Sequence, residues 1–205
     1  MISPAPVGSP QYLAGGSINQ SLTLNGGDLL MAVITCARDI DPGTPTWNGK
    51  ALIPVYKSIH PSSGFNAISA FVLKDYDWGT HAFVGGAPDQ NISLSIWANV
   101  ASFYGAGGGE NGGVSTLPIT QTTKPNETAV LVAWSSLSMP STFIGTDFMA
   151  NSALNFRHSK GAYVIATGSS TAIEFRIVGG YPSQWNEIHF VLRPILQNKG
   201  CVMWI

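Results

Sequence analysis

Charge is the property this sequence has least of. Of 205 residues, 10 are Lys or Arg and 11 are Asp or Glu, which makes 10% charged and a formal net charge of -1, against roughly a quarter charged in an ordinary soluble domain. Ten dispersed cations form no basic stripe, so nucleic acid is excluded as a partner. Ser, Thr, Asn, Gln and Gly are left to cover the outside, which suits either a surface shared with other chains or a neutral Thr/Ser-rich β protein. Cysteine is scarce too: Cys36 and Cys201 are too few for a disulfide framework over this length and are expected as two thiols. The opening MISPAPVGSPQYLAGG lacks the basic start and long apolar core of a signal peptide, and nowhere do eighteen apolar residues run together. No membrane segment or membrane partner is expected. No sustained 3.6-residue period occurs, which excludes a helical fold.

Catalytic motifs are missing as well. There is no GxSxG, HExxH, GxxxxGK[ST] or CxxC, so the chain is expected not to be an enzyme and to carry no cofactor. His60, His81, His158 and His189 stand far apart and offer no metal-ligand spacing. Glu110, Glu127, Glu174 and Glu187 show no recognisable pair for glycoside hydrolysis.

What is present is β-structure. Leu29 to Ala37 is a near-continuous apolar run between Gly-Gly-Asp and Arg-Asp, the pattern of a central strand buried on both faces. Thr46-Trp47-Asn48-Gly49-Lys50 carries the strongest short hairpin signal, because both central residues of that turn need positive φ. Further strands are expected at 21–24, 51–57, 67–73, 80–84, 128–135, 163–167, 172–178 and 187–192, with 92–104 forming one bent strand or two short ones. Residues 139–157 lack a clean period and read as a long loop with one turn of helix at most. Gly105 to Gly113 holds six glycines in nine positions and reads as a flexible joint.

The octapeptide FVGGAPDQ at 83–90 is echoed by IVGGYPSQ at 177–184. Two related halves, about 17–106 and 114–194, are what a two-sheet jelly roll or related Greek-key sandwich would show, and chance likeness of Gly/Pro turns is the alternative. The fold expected is an all-β, two-sheet β-sandwich spanning 17–197. It is preceded by an extended arm, 1–16, with Pro4, Pro6 and Pro10, and followed by an apolar tail, 198–205.

Candidate contact residues follow from that plan. The arm (Pro4, Pro6, Pro10, Tyr12) has too little apolar content to bury itself, and the tail (Val202, Met203, Trp204, Ile205) is too apolar to stay in water. Both are expected to make assembly contacts, with the sandwich folding without them. Trp47, Trp78 and Trp185 lie beside turns and are candidates for stacking a glycan, whereas Trp97 and Trp134 fall inside apolar strands and are assigned to the core. Asp39/Asp41 and Asp75/Asp77 place two carboxylates two residues apart, a spacing that calcium could use but that more commonly caps turns, so no metal is expected.

Taken in order, GGDLLMAVIT, PTWNGKALIPV, AISAFVLKD, WGTHAFVGG and ASFYGA resemble a group of β-sandwich proteins and domains frequent in tailed bacteriophages. The likeness covers about Leu22 to Ala106, with a weaker echo to Pro194. Its motifs are structural, so it implies a fold and a virion setting without any catalytic residue. No fibre shaft or second domain is expected from these motifs, so the resemblance does not fix a place in the particle. With the arm, the tail and the shortage of charge, the resemblance implies a head decoration (cement) protein located in the virion after assembly in the host cytoplasm. Such a protein would be homotrimeric, with the major capsid protein as partner, and would stabilise the lattice by binding only the assembled state. A tail- or fibre-associated receptor-binding module holding host glycan is the alternative, and a small carbohydrate-active enzyme is a further one.

Overall fold

Every residue of Leu29–Cys36 is buried, as an unbroken apolar run requires of a strand packed on both faces. The sheets form four layers, and the one holding this strand is covered on each face by another. The computed structural model describes residues 2–15, 18–36, 41–58, 67–85, 90–111, 116–135, 141–151, 158–177 and 185–196. Among them all regular structure is β-strand and no helix occurs.

The first half contains β1 (Ala5–Gly15), β2 (Asn19–Leu24), β3 (Leu29–Cys36), the short pair β4 (Thr46–Trp47) and β5 (Lys50–Ala51), β6 (Ile53–Ser58), β7 (Ala67–Lys74), β8 (Gly79–Val84) and β9 (Gln90–Ala98). An inner sheet runs β1, β9, β3, β7, β6 and an outer sheet runs β2, β8, β4, β5. The second half contains β10 (Val100–Asn111), β11 (Thr116–Thr122), β12 (Thr128–Ser135), β13 (Ser141–Ile144), β14 (Thr146–Asn151), β15 (His158–Ile165), β16 (Ser170–Ile177) and β17 (Trp185–Pro194). Its inner sheet runs β10, β17, β12, β15, β14 and its outer sheet β11, β16, β13.

Leaving out the hairpin strand β5, the two orders are the same. Within each half the inner sheet takes strands one, eight, three, six and five, and the outer sheet takes two, seven and four. That is jelly-roll connectivity, built twice. The registers agree as well: Leu29 lies between Lys74 and Trp97, and Thr128 between Ile165 and Leu192. One backbone bond closes the corresponding turn in each copy, from Asp75 N–H to the Asp28 carbonyl and from Ala166 N–H to the Glu127 carbonyl, both at 2.8 Å.

Strand alternation distributes the core. Leu29, Met31 and Val33 of β3 meet Val130, Val132 and Trp134 of β12 in one cluster between the two inner sheets. Leu30, Ala32 and Ile34 face the first outer sheet with Trp47 and Phe83, and Leu131 and Ala133 face the second with Ile119 and Ile173. The sandwiches therefore stand back to back. β1 lies against β14 while β10 lies against β6, the reciprocal pairing of a pseudo-twofold interface. Trp97 sits at its centre, fully buried, with Phe148 and Tyr163 of the other half edge-on at 5.0 and 5.6 Å.

Several expectations change. The all-β sandwich class holds, with four sheets in place of two. The arm is a strand: Ala5–Gly15 pairs antiparallel with β9 and buries Leu13. Its prolines sit on an edge strand, where a missing donor costs no central ladder bond. Gly105 to Asn111, expected within the joint, continues β10 against β17; strand pairing supplies the order that glycine alone does not. The turn between the halves falls instead at Asn99, with φ 62°. The loop assigned to 139–157 contains β13 and β14, and β11 had no counterpart in the expected strands. The Asn-Gly hairpin forms as read, with φ 49° at Asn48 and 75° at Gly49. The echoed GGxPxQ turns lie largely outside the described residues; β9 follows the first and β17 the second.

Candidate functional site

The two halves meet in sequence at Asn99, and the turns around it gather at one pole of the molecule. Asn99 N–H donates to the Asp28 carboxylate at 2.5 Å, Asp28 N–H donates to the Trp97 carbonyl at 2.7 Å, and Ile195 N–H donates to the Asn99 carbonyl at 3.0 Å. Beside them the Trp78 indole N–H donates to the Gly27 carbonyl at 3.3 Å, and the Tyr76 hydroxyl to the Gly26 carbonyl at 2.6 Å. Burial, with the Asp28 charge beside it, pushes the Tyr76 hydroxyl up to about 12. Large apolar side chains are left in water around this network, chiefly Trp78 at 61% and Leu196 at 70% exposed, with Val7, Ile165 and Ile195 less so. Val7 lies against Gly26, Ile165 pairs with Thr128, and the Thr128 hydroxyl donates to the Pro4 carbonyl at 2.7 Å.

A cleft of about 310 Å³ opens next to Leu196, lined also by Ala101, Ser102, Lys124, Pro125, Glu127 and Arg193. Glu127 is buried at its floor and accepts from Lys124 N–H at 2.7 Å and from the Tyr104 hydroxyl; the Arg193 guanidinium lies 3.4 Å from its other oxygen. Arg193 also stacks over the Tyr104 ring at 4.1 Å. Burial, then the bond to Glu127, pushes the Tyr104 hydroxyl up to about 12. A carboxylate with all these donors is a structural anchor, which leaves the cleft rim, cationic and apolar, as the part able to meet a partner.

The residues singled out by sequence are dispersed. Pro4 and Tyr12 act inside the chain: Pro4 receives Thr128, and the Tyr12 hydroxyl receives Ala150 N–H at 3.0 Å. Pro6 and Pro10 lie in β1. Val202, Met203, Trp204 and Ile205 lie outside the described residues. Trp47 is corrected: it is fully buried beneath the first outer sheet, with its indole N–H donating to the Asp77 carbonyl at 2.8 Å, and it presents no face to a sugar. Trp78 is exposed, whereas the Trp185 side chain is outside the described residues, so the structure assembles no tryptophan platform from the three. Trp97 and Trp134 are fully buried.

Asp77 accepts from Lys50 at 2.9 Å and Asn48 at 3.0 Å, bonds that hold its carboxyl below the usual range. Asp41 accepts from Lys57 and from Gly43 N–H, with the same effect. These aspartates fasten turns. Asp39 is outside the described residues, and Asp75 is exposed beside Lys74 at 3.6 Å. Among the described residues no three His, Cys, Asp or Glu side chains gather to hold a metal ion. His81 contacts the Trp78 carbonyl at 3.0 Å, and His189 pairs with Glu187 at 2.9 Å; His60 and the His158 side chain are outside the described residues. Sequence reading passed over the Tyr104, Glu127 and Arg193 cluster, since three residues so far apart in the chain carry no spacing signal.

No family model, curated protein or solved structure matches the chain.

Proposed function

We propose that this chain is a non-catalytic structural protein of a tailed-bacteriophage virion, of the head decoration (cement) type, which docks on neighbouring capsid subunits through its Asn99 pole. The observation that carries the reading is the set of exposed apolar side chains at that pole, Trp78 and Leu196 foremost. Contact with a neighbour would desolvate them, at about 25 cal/mol per Å² of apolar surface. Support also comes from the strand motifs shared with phage β-sandwich proteins and from a charge content of 10%, which leaves few ions to desolvate at an interface. Binding the assembled lattice and not its free subunits then stabilises the lattice by mass action.

The test is a particle-binding assay with purified protein and undecorated heads. Trp78→Ser together with Leu196→Ser is expected to weaken binding at least about tenfold while thermal unfolding stays within about 2 °C. Binding to heads that is absent in the natural sequence, or unchanged in the double variant, overturns the proposal. A low copy number confined to tails points to the receptor-binding alternative.

A further inference from the structure

The pseudo-repeat allows each interior position of one sandwich to be compared with its partner in the other. Along one row of the first inner sheet, register aligns Leu13, Ile92, Ile34 and Ser69 across β1, β9, β3 and β7. The same row of the second holds Gly109, Glu187, Ala133 and Lys160. In the next row Gln11, Leu94, Ala32 and Phe71 become Gly107, His189, Leu131 and Ala162. The first interior is sealed by Leu13, Ile92 and Leu94, all buried in its apolar cluster. Its counterpart has lost that bulk and gained a carboxylate and an imidazole.

The replacements form a site. Glu187, 5% exposed, holds His189 Nδ1 at 2.9 Å. The ring leans over Gly107, where an added Cβ would stand 2.5 Å from Nε2, so only glycine admits this orientation. With Nδ1 engaged, Nε2 is the nitrogen left to meet a ligand. His189 is 24% exposed, so its ring reaches solvent beside the edge strand β10, with which its residue is paired. From β11, Gln121 has the same alternation as the core residue Ile119 and so faces the same interior; it is 6% exposed and its amide nitrogen has no hydrogen-bond partner. A buried amide donor without a partner costs about 1–3 kcal/mol, and a ligand oxygen would remove that cost.

We propose that the interior of the second sandwich, reached beside the β10 edge, binds a neutral hydroxyl-rich ligand of the monosaccharide class through His189 Nε2, Glu187 and the Gln121 amide. The buried carboxylate repels anions, and the mix of acceptors and an unsatisfied donor matches hydroxyl groups, which both give and take hydrogen bonds. The glycine-rich run of β10 then has a purpose, since Gly109 omits the side chain that Leu13 of β1 contributes to the plug of the first sandwich. This site is independent of the assembly role.

The experiment is an NMR titration of the full chain with neutral hexoses, deoxyhexoses and N-acetylhexosamines in turn, following the His189 ring and Gln121 side-chain signals. At least one sugar is expected to shift both saturably. Glu187→Ile with His189→Leu, which installs the residues of the first sandwich, is expected to weaken that binding at least about tenfold and to raise stability, and Gly109→Leu to block entry. Trp78→Ala is expected to leave it unchanged. No response from any sugar, or binding retained in the Glu187→Ile, His189→Leu variant, overturns the proposal. A response to zinc alone does so as well.

Discussion

Deleting residues 1–15 tests whether β1 belongs to the fold or is an attached arm. The strand keeps eight registered pairs with β9, equivalent to about six ladder hydrogen bonds once the proline and the bulge are allowed for, at roughly 0.5–1.5 kcal/mol each. Leu13 adds roughly 1.5–3 kcal/mol of burial. Removal also strips Thr128 of its acceptor at Pro4 and Ala150 N–H of its acceptor at Tyr12, and it opens one edge of the first interior. The loss is on the order of 6–12 kcal/mol, comparable with the whole stability of a typical domain, about 5–15 kcal/mol. The truncated chain is therefore expected to be unfolded or close to it. Urea denaturation followed by tryptophan fluorescence reads this directly, and Leu13→Ala, at about 2–4 kcal/mol, gives a graded version that still folds. A truncated chain that unfolds cooperatively within about 1 kcal/mol of the intact one would refute the reasoning and return β1 to the status of an arm.

Trp97→Ala is expected to cost about 3–5 kcal/mol and, because Trp97 bridges both inner sheets, to lower a single shared unfolding transition; a variant in which only one sandwich melts early would contradict the continuous central core. Alkaline pH should ionise the two hydrogen-bonded phenols, Tyr76 and Tyr104. Tyr76 and Tyr104 ionise near 12 in the folded chain against about 10 unfolded, so their contribution is whole below pH ~10 and is lost as pH rises towards 12. The urea midpoint should be flat up to about pH 10 and fall above it, less steeply in Tyr76→Phe; an equal slope in the variant would show that Tyr76 plays no part.

Local chemistry was legible where one residue type decides a conformation. Asn48-Gly49 announced its turn, and the unbroken run from Leu29 to Cys36 announced burial on both faces, although the second covering layer, another sandwich of the same chain, was not readable from it. Elements held by partners were harder. β1 and the end of β10 are poor strands by composition, since proline and glycine lower intrinsic strand preference, and they form because β9 and β17 present open edges beside them. Trp47 shows the same limit for the candidate sites: position beside a turn says nothing about which side of the sheet a side chain takes. The Glu127 cluster and the Glu187–His189 pair needed the fold to bring them into view.

The back-to-back packing resembles a symmetric dimer whose two members share one backbone. In a true homodimer any substitution inside one sandwich appears in both, so an interior made polar would weaken the assembly twice over. Covalent linkage at Asn99 lifts that constraint. One copy can keep Leu13, Ile92 and Leu94 and hold the molecule together, while the other carries Gly109, Glu187 and His189 at the matching places. The duplicated architecture thus allows a division of labour that symmetry would forbid, with one half supplying stability and the other free to diverge.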